Sequence, residues 1–178
     1  MKKLSLLFLT PLIFINCKNQ EDCIPYFDFD EVEYFYIDIS SEEIQNLIYK
    51  QRTEKDPNEI MFLNIFTGFY PMGQKDTLNI GKLENFGYSK TQIPEGEFLK
   101  INQLFCERKH EFSESAACGY YNRDILIFKK NGNNVGIAKL CFECELNQII
   151  GSKRNTQDFG QSGDFKVLKE LLIKYRKK

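Results

Sequence analysis

From residue 31 the chain alternates charged and β-forming residues, Glu31-Val32-Glu33-Tyr34-Phe35-Tyr36-Ile37-Asp38-Ile39. Near-alternation of this kind predicts a strand. The period then lengthens. Ser40 and Glu43 have capping-box spacing ahead of Ile44, Leu47 and Ile48, which predicts a short helix. Asp56-Pro57-Asn58 is a turn signal, and the compact apolar run at residues 60–66, closed by Gly68, reads as a buried strand. Residues 77–83 read as a further strand. Pro94 is followed by Phe98, Ile101, Leu104 and Phe105 at helical spacing, with the proline near the first turn where its missing N–H does no harm.

The clearest local signal lies further on. Residues 120–129 contain Ile125-Leu126-Ile127-Phe128, and residues 135–142 form a second β-rich run. Between them stands Asn131-Gly132, a pair that takes the positive φ angles of a tight hairpin turn. Both strands are apolar on both faces at their centres, which predicts a hairpin interior to a sheet. Phe165, Leu168, Leu171, Leu172 and Tyr175 then make one stripe at helical spacing. Ser162 or Asp164 is placed to cap this last helix, and Lys174, Arg176, Lys177 and Lys178 to complement its dipole. The expected fold class is therefore α+β. It has a mixed or antiparallel sheet with a central hairpin at about residues 120–144, and two or three helices including a C-terminal amphipathic one.

The N-terminus has a different logic. Lys2 and Lys3 precede an uncharged stretch, residues 4–15, that ends at Asn16. As a helix it spans ~18 Å, short of the ~30 Å hydrocarbon core of a bilayer. A charged start, a short apolar stretch and a polar switch are the layout of a secretory signal. Ordinary cleavage wants small residues at the boundary, but the first alanine is Ala116. What stands at the boundary is Cys17, in Ile13-Phe14-Ile15-Asn16-Cys17. This segment resembles the lipobox of bacterial lipoproteins: an aliphatic residue, two small or tolerant residues, then the modified cysteine. Relaxed motifs of this form are similar to those of Bacteroidota lipoproteins. The resemblance implies lipidation at Cys17 and anchoring to a membrane through that lipid. It also implies a place in the cell envelope, on the periplasmic or surface face of an outer membrane. Residues 118–178 are similar to small Bacteroidota lipoproteins as well, a likeness that carries no activity with it. The expected organisation is a signal peptide at 1–16, a polar tether at 17–25 and a single domain at 26–178.

Charge narrows the partners. The chain has 24 Lys+Arg against 25 Asp+Glu. With Lys2 and Lys3 removed in the signal, the body is weakly acidic. A nucleic-acid binder needs a basic surface to displace counterions, so no nucleic-acid partner is expected. At 42% hydrophobic and 28% charged the composition is globular.

Catalytic chemistry finds little to work with. His110 is the one histidine, set among charged neighbours in Glu107-Arg108-Lys109-His110-Glu111. There is no nucleophile elbow, phosphate loop or dinucleotide fingerprint. No catalytic residue, metal site or cofactor is expected. Aromatic residues offer two binding candidates. The segment at 26–36 reads first as a core strand, and Phe69-Tyr70-Pro71-Met72 as a loop where Phe69 and Tyr70 are the candidate binding pair.

Cys17 apart, the chain has Cys23, Cys106, Cys118, Cys141 and Cys144, an odd number. Export permits disulfides. The candidates are Cys106, Cys118, Cys141 and Cys144, with Cys141 and Cys144 oxidised to each other or to Cys106 and Cys118. In one regular strand Cys141 and Cys144 would stand ~10 Å apart, beyond the ~7 Å limit for a bridge, so a mutual bond requires the strand to end near Cys141. Glu143 and Glu145 flank the pair and favour protonated thiols. All five prolines lie upstream of it, whereas thioredoxin-like enzymes place one downstream. These features predict a structural role. A four-cysteine zinc site from the same residues is a lesser alternative. The functional expectation is a lipid-anchored extracytoplasmic binding protein that meets a protein or envelope partner. The alternatives are a thiol–disulfide protein using Cys141 and Cys144, or a toxin-neutralising envelope lipoprotein of the immunity type.

Overall fold

The computed structural model describes residues 23–51, 54–108 and 119–177. The signal stretch, Cys17, His110 and Cys118 lie outside these residues. After β1 (Ile24–Pro25) comes β2 (Glu31–Tyr36), the strand expected from the alternation. Helix α1 (Ser41–Tyr49) is started by a reciprocal cap: Ser40 Oγ accepts from the Glu43 N–H at 3.1 Å, and Glu43 Oε2 accepts from the Ser40 N–H at 2.9 Å.

Two expectations are corrected next. The apolar run at 60–66 is not a strand but most of helix α2 (Pro57–Phe66). Asp56 and Glu59 form a second capping box, and Pro57 occupies the first turn where its missing N–H is harmless. The run is apolar all round, so it has no visible period. Within it Phe62, Ile65 and Phe66 are the buried positions, at helical spacing. Residues 77–83 likewise belong to a 3-10 segment, Gln74–Phe86, rather than to a strand.

The chain continues through β3 (Ser89–Gln92), a 3-10 turn and helix α3 (Phe98–Leu104), which is the helix expected after Pro94. Then come β4 (Cys106–Glu107), β5 (Asp124–Lys130), β6 (Asn133–Cys141) and β7 (Leu146–Ile150). Helix α4 (Asp164–Ile173) closes the fold. The fold class is α+β with antiparallel sheets, and α2 is the helix beyond the three expected.

The main sheet has the order β3-β2-β5-β6-β7, with every neighbouring pair antiparallel. β1 and β4 form a separate two-stranded sheet. β5 and β6 are interior, as their two-sided apolar character implies. Their turn is Asn131-Gly132 with φ of 49° and 75°, the positive pair that matches the twist of a tight hairpin.

Side chains alternate across the sheet and separate two cores. Val32, Tyr34, Leu126, Phe128, Ala138 and Leu140 face α3 and α4, together with Phe105 and Phe159. Phe35, Ile37, Ile125, Ile127 and Ile137 face α1, α2 and the 3-10 segment through Ile44, Phe66 and Leu83. The sheet is therefore the middle of three layers. Tyr26, Phe27, Val32, Tyr34 and Phe35 are all buried, so most of the aromatic segment at 26–36 is core.

In α4 the residues Phe165, Leu168, Leu171 and Leu172 are buried as the stripe requires. Its cap differs from expectation. Gly163, at φ 78°, precedes the helix without a side-chain cap. The Asp164 carboxylate instead accepts from Arg108 Nη1 at 2.6 Å. Arg176 lies past the helix end. Its Nη2 donates to both Asp124 oxygens, at 3.0 and 3.1 Å, and its guanidinium stacks 4.3 Å from the Tyr36 ring.

A candidate binding groove beside the outer strand

Alternation in β6 puts Ile137, Lys139 and Cys141 on the face toward α2, and Lys139 is completely buried there. No carboxylate pairs with it among the described residues. Its Nζ donates to Gly68 O at 2.6 Å, Tyr70 O at 2.9 Å and Gln148 Oε1 at 3.0 Å. Burial disfavours the charged form and pulls this amine from 10.5 down to about 7. A buried acid elsewhere in the sheet, Glu33 on β2, shows the opposite balance. Burial opposes its charge, but Lys129 and Lys90 outweigh that and hold the carboxyl below its ordinary range.

Gln148 is the cross-strand neighbour of Lys139 in the β6–β7 register. Its Oε1 accepts the hydrogen bond from Lys139 Nζ, and its Nε2 donates to Phe69 O at 2.6 Å and Pro71 O at 3.1 Å. Two adjacent side chains thus catch four successive carbonyls, those of residues 68–71. The loop leaving α2 is further fixed by Tyr70 Oη, which donates to Asp76 O at 2.7 Å, and by the Met72 N–H, which donates to Asp76 Oδ2 at 3.1 Å. Held from beneath in this way, the loop turns Phe69 and Met72 outward, 67% and 77% exposed. The Phe69 ring stacks on Tyr120 with centroids 6.0 Å apart.

A groove of about 690 Å³ runs between this loop and β7, lined by Met72, Gly73, Gln148, Ile149, Ile150 and Lys153. At Gly151 and Lys153 it meets a second open cleft of about 620 Å³, where Tyr26, Phe27, Lys130 and Arg154 contribute. The arrangement offers apolar contact on a backbone frame that is already hydrogen-bonded.

Of the candidate binding pair, Phe69 is on the surface, whereas Tyr70 is half-buried and holds the loop. Lys139 and Gln148, the residues that build the site, went unread in the sequence. The available signal was a lysine centred in the apolar run 135–142.

The cysteines differ from expectation. Cys106 is bonded to Cys23, with Cα atoms 5.5 Å apart, and not to Cys118 or to the Cys141/Cys144 pair. Cys141, expected to be oxidised, is a free buried thiol. Cys144 is disulfide-bonded. β6 ends at Cys141 and a turn follows over residues 142–145, so the strand-end condition for a mutual bond is met, yet Cys141 stays a buried thiol. With Cys106 bridged to Cys23, the four-cysteine zinc arrangement loses a ligand. The C-x-x-C is not a dithiol either, since one cysteine is oxidised and the other is 1% exposed.

No family model, no curated protein and no solved structure matches this chain.

Proposed function

We propose that this chain is a lipid-anchored, extracytoplasmic binding protein of the cell envelope that engages a protein or envelope partner through the surface at Phe69 and Met72. The observation that carries the reading is the loop at 68–72. Its carbonyls are secured by Lys139 and Gln148 while two large apolar side chains are left in water above a groove of about 690 Å³. Burying exposed apolar area is the usual source of association energy. A frame fixed in advance lowers the ordering cost of binding. The anchor rests on the sequence from Lys2 to Cys17, and the Cys23–Cys106 disulfide suits an oxidising compartment.

Two measurements on the full chain in cells test this. Labelled fatty acid should enter the wild type and be absent from Cys17→Ala; label retained by that variant overturns the anchor. A photo-reactive benzoylphenylalanine at Phe69 should give a discrete adduct with another molecule. The same group at Leu99, 72% exposed, should give none. Equal labelling from both positions, or an adduct with a second copy alone, overturns the binding reading.

A further inference from the structure

The two edges of the main sheet are treated differently. β3 contains Lys90, and the C-terminal segment lies along it: Lys177 Nζ donates to Lys90 O at 2.7 Å, and Ser89 Oγ donates to Lys177 O at 3.5 Å. Charge and covering are the means by which proteins blunt a sheet edge. β7 has neither. It reads Leu146-Asn147-Gln148-Ile149-Ile150, without charge or proline. Among the described residues no hydrogen bond from outside the sheet reaches its backbone. An open groove follows it instead.

The ends of this bare edge carry opposite charge. Glu143 and Glu145 precede it and Lys153 and Arg154 follow it, all four exposed. Glu143 has one cation nearby, Arg123 at 3.9 Å, and accepts weakly from the Cys141 thiol at 3.8 Å; among the described residues the side chains of Glu145, Lys153 and Arg154 form no ion pair. A strand added antiparallel reads the edge in reverse. A second copy therefore sets its Lys153 and Arg154 beside Glu143 and Glu145, and the two-fold axis repeats the match. A parallel copy would set like beside like. An acidic peptide would answer Lys153 and Arg154 but leave the two glutamates facing no cation.

We propose that β7 is a self-complementary edge through which two copies of this chain join antiparallel into one continuous sheet. The axis stands across the sheet and preserves its faces, so the two Phe69–Met72 loops come to the same side. This pairing is independent of the partner proposed at Phe69, because sedimentation reads the one and cross-linking the other.

The test uses the full chain in detergent, with its mass followed by density-matched sedimentation equilibrium. The wild type should be a dimer. Lys153→Glu with Arg154→Glu makes both ends acidic, and Glu143→Lys with Glu145→Lys makes both ends basic. Each double variant alone should dimerise at least about tenfold more weakly, and an equimolar mixture of the two should recover the dimer. All four positions are exposed, so folding is not at issue. A monomeric wild type, variants that dimerise like the wild type, or a mixture that stays monomeric would each overturn the proposal. Any of these beside an intact Phe69 adduct leaves the binding reading standing.

Discussion

At the scale of single residues, Lys139 decides most. Its proton is bound in the unfolded chain up to about the ordinary 10.5 but leaves the folded protein at about 7. Between those values the unfolded state holds more protons, so stability rises with pH across that window and is lowest below it. Urea unfolding at pH 6 and pH 9 should show a gain on the order of a few kcal/mol for the wild type. Lys139→Met should remove that slope. At pH 9 it should also be the less stable of the two, because Gly68 O, Tyr70 O and Gln148 Oε1 lose their common donor. A Lys139→Met protein that keeps the wild-type slope would mean another group titrates. Gly136 gives a second check. A Cβ there would stand 2.3 Å from the Phe27 ring, so Gly136→Ala should cost about 1–3 kcal/mol in the same assay. Neither role was legible in the sequence. Strand alternation shows which face Lys139 is on, but its acceptors come from a loop 69–71 residues away.

At the scale of elements, what was legible was what is locally encoded. The hairpin turn needs only Asn131-Gly132, and α1 needs only Ser40 and Glu43 before its apolar positions. The misread element, α2, had a local code too: Asp56, Pro57 and Glu59 are a cap, a first-turn proline and its reciprocal partner. The uniform apolar run that follows hid the helical period, and the same Asp-Pro-Asn reads equally well as a turn. Asp56→Ala should therefore cost about 1 kcal/mol, as Ser40→Ala should in α1. The Asp56 variant alone should also loosen the loop at 68–71, seen as faster amide exchange at Met72. β7 gave no comparable signal. It is five residues long with Asn147 and Gln148 inside it, and only its place beside β6 makes it a strand.

At the scale of the whole molecule, the Cys23–Cys106 bond joins residues 83 apart and secures the start of the described chain to β4. Replacing both cysteines with alanine should cost about 2–5 kcal/mol in denaturant unfolding. A change below 1 kcal/mol would mean the sheet alone holds that end. The pairing itself could not be read from sequence. Five cysteines leave connectivity open, and the choice is made by the β1–β4 register, which aligns Pro25 with Cys106. Arg176 shows the same limit. Read locally it completes a helix dipole, but in the fold it answers the buried carboxylate of Asp124, 52 residues away.

That disulfide also sets a leash. If Cys17 carries the lipid, only six peptide steps separate the membrane from the disulfide-bonded Cys23, a span of about 20 Å at full extension. The body then cannot sweep the envelope in search of what it binds. It stands with its β1–β4 end toward the leaflet, and whatever it engages has to come to the membrane to be met.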